Sequence, residues 1–150
     1  MARRTRRSTR PTAARTPAAP TVTAASPCPC GLPEPYGDCC GRFHSGTAHA
    51  PTAERLMRSR YAAFVVRDEA YLLRTWAPRT RPAEVDFDPG MRWTGLEIRE
   101  TTDGTAFHQS GTVTFVAGYT HDGRAGSLHE RSRFERHEGA WVYVDGDFID

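Results

Sequence analysis

The sequence predicts an α+β fold in which two helices pack on a four-stranded antiparallel sheet, preceded by a small cysteine-rich knuckle. Three observations support this prediction. All four cysteines fall within residues 28–40. Apolar residues recur with the period of a helix after residue 51, and they alternate with the period of a strand after residue 91. Because the helices come first and hairpin-linked strands follow, we expect the helices on one face of the sheet.

Length and composition are those of one domain with a short N-terminal extension. The 150 residues are 38% hydrophobic and include three Trp, five Tyr and seven Phe, enough for one modest core. We divide the chain into a tail (1–26), a knuckle with its linker (27–50) and an α+β domain (51–150). No apolar run approaches the roughly 18 residues that span a bilayer, and no secretory signal is evident. We therefore expect a cytoplasmic protein without a membrane partner.

The tail carries an excess of positive charge. Residues 1–26 contain six Arg and no acidic residue, whereas the rest of the chain has 14 Arg against 18 Asp and Glu. The tail has too little apolar surface to offset its ordering entropy, so we expect it to be disordered. Clustered Arg binds phosphates by releasing their counterions, which makes nucleic acid a third-ranked partner. The alternatives are a transit peptide and a dispensable segment.

The cysteines have the spacing of a metal site, C-x-C-x8-C-C, formed by Cys28, Cys30, Cys39 and Cys40. Four thiolates complete the tetrahedral shell of Zn²⁺ at about 2.3 Å and leave no position for a substrate. We therefore predict a structural zinc site. Adjacent cysteines would diverge on a strand, so we expect a turn or a helix start at Cys39 and Cys40. The alternatives are disulfides, which would need a strained vicinal bridge, and an iron–sulfur or copper site.

This spacing, followed by Gly41, resembles the SEC-C motif, a small zinc-binding module also found at the end of the translocase ATPase SecA. Tyr36 falls where that motif usually carries an aromatic residue. His44 is an alternative metal ligand. Because four thiolates already complete a tetrahedron, we expect His44 to be a solvated loop residue.

The first helix is predicted to begin at Pro51–Glu54, where Pro and Glu suit a first turn. Its apolar stripe is formed by Met57, Tyr61, Phe64 and Val65. Three arginines lie mainly off this stripe and are expected on a solvated face: Arg55, Arg58 and Arg60.

A second helix is predicted after Asp68, whose carboxylate is placed to cap it, and Pro78 stops it. Its core residues are Tyr71, Leu72, Thr75 and Trp76. Four strands follow, separated by turns at Asp103-Gly104, at 121–123 and at Glu138-Gly139. Their predicted bounds are Met91–Thr101, Phe107–Tyr119, Arg124–Arg136 and Trp141–Asp145.

Five segments together resemble the YchJ-like family of bacterial proteins over roughly residues 27–148. They are PTAERLMRSRY at 51–61, TW at 75–76, WTGL at 93–96, HERSRF at 129–134 and WVYVDG at 141–146. The resemblance implies a zinc-binding SEC-C motif followed by a nuclear transport factor 2-like domain (a cystatin-like roll) from Pro51 onward. It implies no particular activity.

Strand parity singles out Glu130 as a candidate site residue. Residues two apart on a strand share a face, so Glu130 and Ser132 lie with Leu128 and Phe134. If these apolar residues face the helices, the carboxylate points inward, where it needs a partner or a raised pKa. The inner sheet face of such a roll commonly lines a pocket. Plausible neighbours are Tyr61, Trp76, Tyr143 and Asp145, because Trp141, Tyr143 and Asp145 alternate along one strand.

Two interpretations of Glu130 follow. In the first it is a structural buried acid paired with a helix arginine, Arg58 or Arg60. In the second it binds a ligand or transfers a proton, with Tyr61, Tyr143 and Asp145 as further catalytic candidates.

The preferred functional interpretation is a zinc-binding accessory protein that binds a protein partner or a small ligand through the pocket of the roll. The alternative is a small-molecule enzyme with Glu130 as acid or base. Nucleic-acid binding through residues 1–26 is third. No phosphate-binding loop or dinucleotide fingerprint is present.

Overall fold

The computed structural model describes residues 21–150, and it confirms the α+β prediction. A one-turn 3₁₀ helix (Tyr36–Asp38) precedes three α-helices: α1 (Cys40–His44), α2 (Ala53–Val66) and α3 (Glu69–Arg74). Four strands follow: β1 (Met91–Asp103), β2 (Ser110–His121), β3 (Arg124–His137) and β4 (Ala140–Phe148). They pair antiparallel in chain order as one sheet.

Residues 1–20 lie outside the described residues, and there the predictions of disorder and nucleic-acid binding, which were made for residues 1–26, stay predictions. The residues just before the first cysteine are ordered. The carbonyl oxygen of Ala24 accepts a hydrogen bond from Gly37 (2.9 Å), and that of Ser26 accepts one from Tyr36 (2.8 Å). Backbone pairing therefore starts the knuckle earlier than residue 27, where the sequence analysis placed the boundary.

Helix α2 begins and ends with identifiable caps. The Thr52 hydroxyl accepts a hydrogen bond from the backbone of Arg55 (3.1 Å), which satisfies one free N–H of the first turn. The helix ends at Arg67, a residue in the left-handed region with a φ of 61°. The predicted stripe faces the sheet, with Met57 and Tyr61 in the main core.

Helix α3 is shorter than predicted. The Asp68 carboxylate caps it by accepting from the backbone of Tyr71 (3.0 Å), as expected. The helix ends at Arg74, however, so the assignment of Thr75 and Trp76 to it was wrong. The carbonyl oxygen of Thr75 accepts from the Tyr143 N–H (2.8 Å), and the Tyr143 carbonyl accepts from the N–H of Ala77 (2.7 Å). This pairing with the edge of β4 ends the helix.

The sheet confirms the parity argument for β3. Phe115 on β2 pairs with Glu130 on β3, and Val113 pairs with Ser132. Val113 and Phe115 belong to the buried core under α2, so Glu130 and Ser132 face the helices. No helix in the described part of the chain is long and apolar enough to cross a membrane.

Strands β2 and β4 differ most from prediction. Strand β2 starts at Ser110 and not at Phe107, whose side chain is 94% exposed in the loop before it. Strand β4 contains a bulge: Tyr143 pairs with Phe134, while Asp145 pairs with Arg133, so Val144 is an extra residue. An extra residue reverses the alternation of side chains beyond it.

Candidate metal centre and adjoining pocket

Two turns bring the cysteine pairs together. The chain reverses after Cys30 at Gly31, whose φ of 92° favours glycine and whose N–H donates to the Cys28 carbonyl (3.2 Å). On the other side of the site, Cys39 follows the 3₁₀ helix and Cys40 is the first residue of α1. The helix start expected at this pair is therefore confirmed.

The four sulfurs form a compact cluster. The Sγ atoms of Cys28, Cys30, Cys39 and Cys40 all lie within 4.8 Å of one another, and those of Cys30 and Cys39 are 3.6 Å apart. Sulfurs bound at about 2.3 Å to one tetrahedral ion would be separated by about 3.8 Å. All four are buried free thiols, so the disulfide alternative is wrong. The cluster has the donor atoms and spacing to bind a metal ion.

The protonation of the cluster also favours a cation. Hydrogen bonds from Cys30 and Cys40 lower the pKa of Cys28 to about 2. Burial, followed by the hydrogen bond with Cys28, raises the pKa of Cys39 to about 12. The neighbouring thiols thus stabilise the Cys28 thiolate, while the pKa of Cys39 and of Cys40 is raised. A divalent cation at the centre would supply the charge that allows further thiols to ionise.

The knuckle packs on α2 by apolar and polar contacts. Ala62 of α2 is fully buried against the cysteines. The Arg58 guanidinium donates to the Cys30 carbonyl (2.8 Å) and also binds the carboxylate of Glu54 (3.0 Å). From α3, Arg74 donates to the carbonyl oxygen of His44 at the end of α1 (2.8 Å). These contacts fix the knuckle on the same helix that borders the sheet.

His44 is neither a solvated residue nor a cluster member, so the prediction for it was wrong. The Tyr36 hydroxyl donates to its Nδ1 (2.6 Å), and its Nε2–H donates to the carbonyl oxygen of Ser59 on α2 (2.8 Å). Burial lowers the pKa of His44, which agrees with a neutral ring that accepts at one nitrogen and donates at the other. His44 therefore links the knuckle to α2.

A cavity of about 290 Å³ lies on the other side of α2, between that helix and the sheet. Its wall is mainly aromatic and aliphatic, and it includes two charged side chains and three hydroxyl groups. The lining residues are Met57, Arg60, Tyr61, Phe64, Trp76, Trp93, Phe115, Ala117, Leu128, Glu130, Ser132 and Tyr143.

Glu130 is held in this cavity through one of its oxygens. Its Oε2 accepts hydrogen bonds from the Ser132 hydroxyl (2.8 Å) and the Tyr143 hydroxyl (3.3 Å). Arg58 binds Glu54 instead, and among residues 21–150 Arg60 forms no ion pair with a carboxylate. The predicted pairing of Glu130 with a helix arginine was therefore wrong, because its hydrogen bonds come from the Ser132 and Tyr143 hydroxyls.

Arg60 is a buried cation at the cavity wall, with 4% of its surface exposed. Its Nη1 donates to the Leu72 carbonyl (2.8 Å) and the Thr75 hydroxyl (2.7 Å). Its Cζ lies 4.8 Å from the ring centres of both Trp76 and Tyr143. Burial lowers the pKa of Arg60 to about 10, which still leaves it charged at neutral pH. The expectation of a solvated face was wrong for this residue.

Of the other candidate residues, two lie at the cavity and one does not. Tyr61 and Tyr143 line the cavity with Glu130, and burial raises the pKa of each tyrosine to about 12. Asp145 does not join them. The bulge turns it to the outer face, where it binds Arg133 (2.6 Å). Its predicted place beside Tyr143 was wrong for this reason.

Arg60 was expected on a solvated face or as an ion-pair partner of Glu130, and its place as a buried donor at the cavity wall was missed. It follows Met57 by three positions and precedes Phe64 by four, so it falls within the apolar stripe of α2. An arginine inside an apolar stripe was the available signal.

Comparison with known proteins finds relatives that match nearly the whole length of this chain. A family model described as the YchJ middle, NTF2-like domain matches residues 52–146. A UPF0225 protein of Streptomyces avermitilis is 68% identical over 148 residues, which are 99% of this chain and 97% of the relative. A UPF0225 protein of Streptomyces coelicolor is 72% identical over 124 residues, 83% of this chain and 97% of the relative.

Two solved structures share the fold. A SEC-C motif containing protein from Rhodopseudomonas palustris superposes with a TM-score of 0.71 at 32% identity, over 82% of this chain and 98% of that one. A SEC-C motif containing protein from Psychrobacter arcticus gives a TM-score of 0.69 at 26% identity, over 85% of each chain. Both resemblances stated from the sequence, to the YchJ-like family and to the SEC-C motif, are thereby confirmed.

Proposed function

This chain belongs to the YchJ family with its middle NTF2-like domain, and we propose that it is a zinc-stabilised protein that binds a small, mainly apolar ligand in its roll. The observation that carries the proposal is the cavity of about 290 Å³ that contains the buried Arg60. Ligand sites are typically concave, largely apolar and supplied with a few polar groups that orient the ligand, at volumes from about 300 Å³ upward.

Zinc has a structural role in this proposal. The thiolates of Cys28, Cys30, Cys39 and Cys40 would hold it, and their compact, buried cluster supports that assignment. Bound zinc supplies a cross-link to a segment that has little apolar core of its own. Four protein ligands leave no position for a substrate, so ligand binding is assigned to the cavity and not to the metal.

The cavity favours a small molecule over a protein partner. Its polar groups, Arg60 and Glu130, lie between α2 and the sheet, where a folded partner does not reach. Burying an arginine without a carboxylate partner lowers stability, and such a cost is often retained at functional sites. A ligand that accepts a hydrogen bond from Arg60 would offset part of that cost.

Narrowing the cavity tests this proposal. Ala117→Phe places a ring in the cavity, whereas Val116→Phe makes a comparable apolar enlargement on the opposite face of β2. Small aromatic compounds are screened by the rise in melting temperature of the zinc-loaded wild-type protein. Compounds that raise it should lose their effect in Ala117→Phe and keep it in Val116→Phe. Equal effects in both variants, or no active compound, would contradict a ligand site at this position.

Acid–base catalysis by Glu130 is the second candidate. The carboxylate is oriented by Ser132 and Tyr143 inside the cavity, and these contacts support a positioned proton acceptor. Glu130→Gln keeps the shape of the side chain and removes its basicity. If Glu130 is catalytic, this variant abolishes turnover of a bound compound with its melting temperature nearly unchanged. Turnover that persists would exclude the role.

A further inference from the structure

The polar groups of the cavity indicate the chemical class of its ligand. Arg60 uses both protons of Nη1 in its bonds to Leu72 and Thr75. Its Nε–H and two Nη2 protons donate to no other described residue, although a guanidinium has five donors in all. One wall of the cavity thus presents hydrogen-bond donors that a ligand acceptor would satisfy.

Trp76 packs beside Arg60 at the same wall. Its ring lines the cavity, with its centre 4.8 Å from Cζ of Arg60. Its indole N–H is buried away from the cavity and has no hydrogen-bond partner among the described residues. Trp76 therefore contributes a ring surface to the wall, and the donors that a ligand can reach belong to Arg60.

Glu130 presents the complementary acceptor. Both of its hydrogen bonds, from Ser132 and Tyr143, go to Oε2. Its Oε1 accepts from no group in the part of the chain that the structure describes. The cavity therefore combines donors near Arg60 with an acceptor at Glu130, and a ligand that carries both an acceptor and a donor on one edge matches this pair.

The apolar walls favour a flat ring system. Trp93 packs edge-on against Tyr61 and is tilted against Phe64, with centres 6.1 and 6.2 Å apart. Trp76 and Tyr143 meet at 88° with centres 5.2 Å apart. These aromatic pairs offer ring faces and edges, with which planar molecules pack well. The volume of about 290 Å³ is suited to one or two fused rings and not to a long chain.

Charge argues for an uncharged ligand. The cavity holds one basic group, Arg60, and one acidic group, Glu130. A carboxylate ligand would be attracted by Arg60 but repelled by the nearby Glu130 carboxylate. A cationic ligand would be attracted by Glu130 but repelled by Arg60. A neutral ligand with a polar edge avoids the repulsion and the desolvation of a further charge.

From this combination we propose that the cavity takes an uncharged, planar bicyclic lactam, whose C=O accepts from Arg60 and whose adjacent N–H donates to Glu130. Oxopurines and pterins are members of this chemical class. The inference rests on the proposed function, because it assumes that the cavity is a ligand site.

The test compares three probes of similar size on the zinc-loaded full chain by titration calorimetry. They are isoquinolin-1(2H)-one, which has the lactam edge, naphthalene, which has none, and 1-naphthoate, which is anionic. Two or more added hydrogen bonds should make the lactam bind at least about tenfold more tightly than naphthalene. Glu130→Leu should remove most of this advantage, and Glu130→Gln, which keeps an oxygen acceptor, should retain part of it. Glu135→Leu, on the outer face of the same strand, should retain all of it.

The outcomes separate this inference from the function on which it rests. Equal binding of lactam and naphthalene would overturn the lactam class and leave the cavity as a ligand site. Tightest binding of 1-naphthoate would also overturn it, in favour of an anion site at Arg60. If none of the three probes binds, both the lactam class and the ligand site are overturned. The probe comparison needs only the wild-type protein, so it is decisive even if a variant fails to fold.

Discussion

The guanidinium of Arg58 donates a 2.8 Å hydrogen bond to the carbonyl oxygen of Cys30, a residue 28 positions earlier in the chain. This contact joins the metal-binding segment to the helix that borders the cavity. The Arg58 side chain is only 15% exposed, so its charge is partly desolvated at the junction. The docked knuckle is thus expected to add stability to the helix on which it packs.

Removing this link should destabilise the whole protein. Arg58→Met keeps much of the aliphatic stem and deletes the donors, and loss of a charged hydrogen bond should cost about 1.5–3 kcal/mol. The measurement is urea unfolding of zinc-loaded protein. Arg99→Met is the control, because among residues 21–150 Arg99 pairs only with Glu97, at an exposed site, and such pairs contribute about 0–1 kcal/mol. Equal effects of the two substitutions would contradict a stabilising link.

Metal removal should affect the knuckle before the sheet. Purified protein is expected to contain one zinc ion per chain, and Cys39→Ser should lower that content because one of four ligands is lost. After chelation, amide hydrogen exchange should accelerate in residues 27–44, while β2 and β3 keep their protection. Unchanged exchange in residues 27–44 after complete metal removal would show that no ion orders this segment.

His44 should remain neutral well below the pH at which an ordinary histidine gains a proton. Its folded-state pKa is lowered by burial from 6.5. The unfolded chain therefore binds this proton first as the pH falls. The stability from neutral His44 is present above about pH 6.5 and is lost between that pH and the lower folded-state pKa.

The measurement is an NMR titration of the His44 ring in zinc-loaded protein. A midpoint at or above 6.5 would contradict the buried hydrogen-bonded arrangement. Tyr36→Phe deletes the hydroxyl that donates to Nδ1, and it should destabilise the fold by about 1–2 kcal/mol because a buried acceptor loses its partner.

Local periodicity was sufficient to predict much of the fold. The alternation of Leu128, Glu130, Ser132 and Phe134 follows from the pleat of one strand, and no bulge interrupts the pairing of β2 with β3. The cysteine spacing was likewise sufficient for the cluster, because its ligands lie close in sequence. These features depend on neighbours a few residues away, and sequence patterns report such neighbours directly.

The wrong predictions concern residues whose positions depend on contacts with residues distant in the sequence. Trp76 lies outside α3 because the backbone on either side of it pairs with Tyr143, about seventy residues later in the chain. Asp145 turns to the outer face because Val144 is a bulge, and a bulge changes the face of every later side chain. His44 is buried because Tyr36 and Ser59 surround it. None of these contacts has a signature in the local sequence.

A glycine that lies beneath the Glu130 side chain, Gly146, offers a final test of how the carboxylate is held. Gly146 pairs with Ser132, and the Glu130 side chain lies over it. A Cβ at position 146 would lie only 2.8 Å from Cδ of Glu130 and closer still to Oε2. Gly146→Ala should therefore displace the carboxylate and cost about 1–3 kcal/mol of stability, as overpacking does.

A double-mutant cycle separates this clash from a general effect of alanine. Glu130→Ala removes the two nearest atoms that the new methyl group would meet, so Gly146→Ala should cost markedly less in that background. Gly95→Ala is the matched control, because Gly95 also lies in a strand and a Cβ there would meet no atom within 4 Å. Additive effects of the two substitutions in urea unfolding would mean that Glu130 does not occupy the space above Gly146. In that case the hydrogen bonds from Ser132 and Tyr143 do not hold the carboxylate in the cavity, and the basis for assigning it a ligand-binding role is lost.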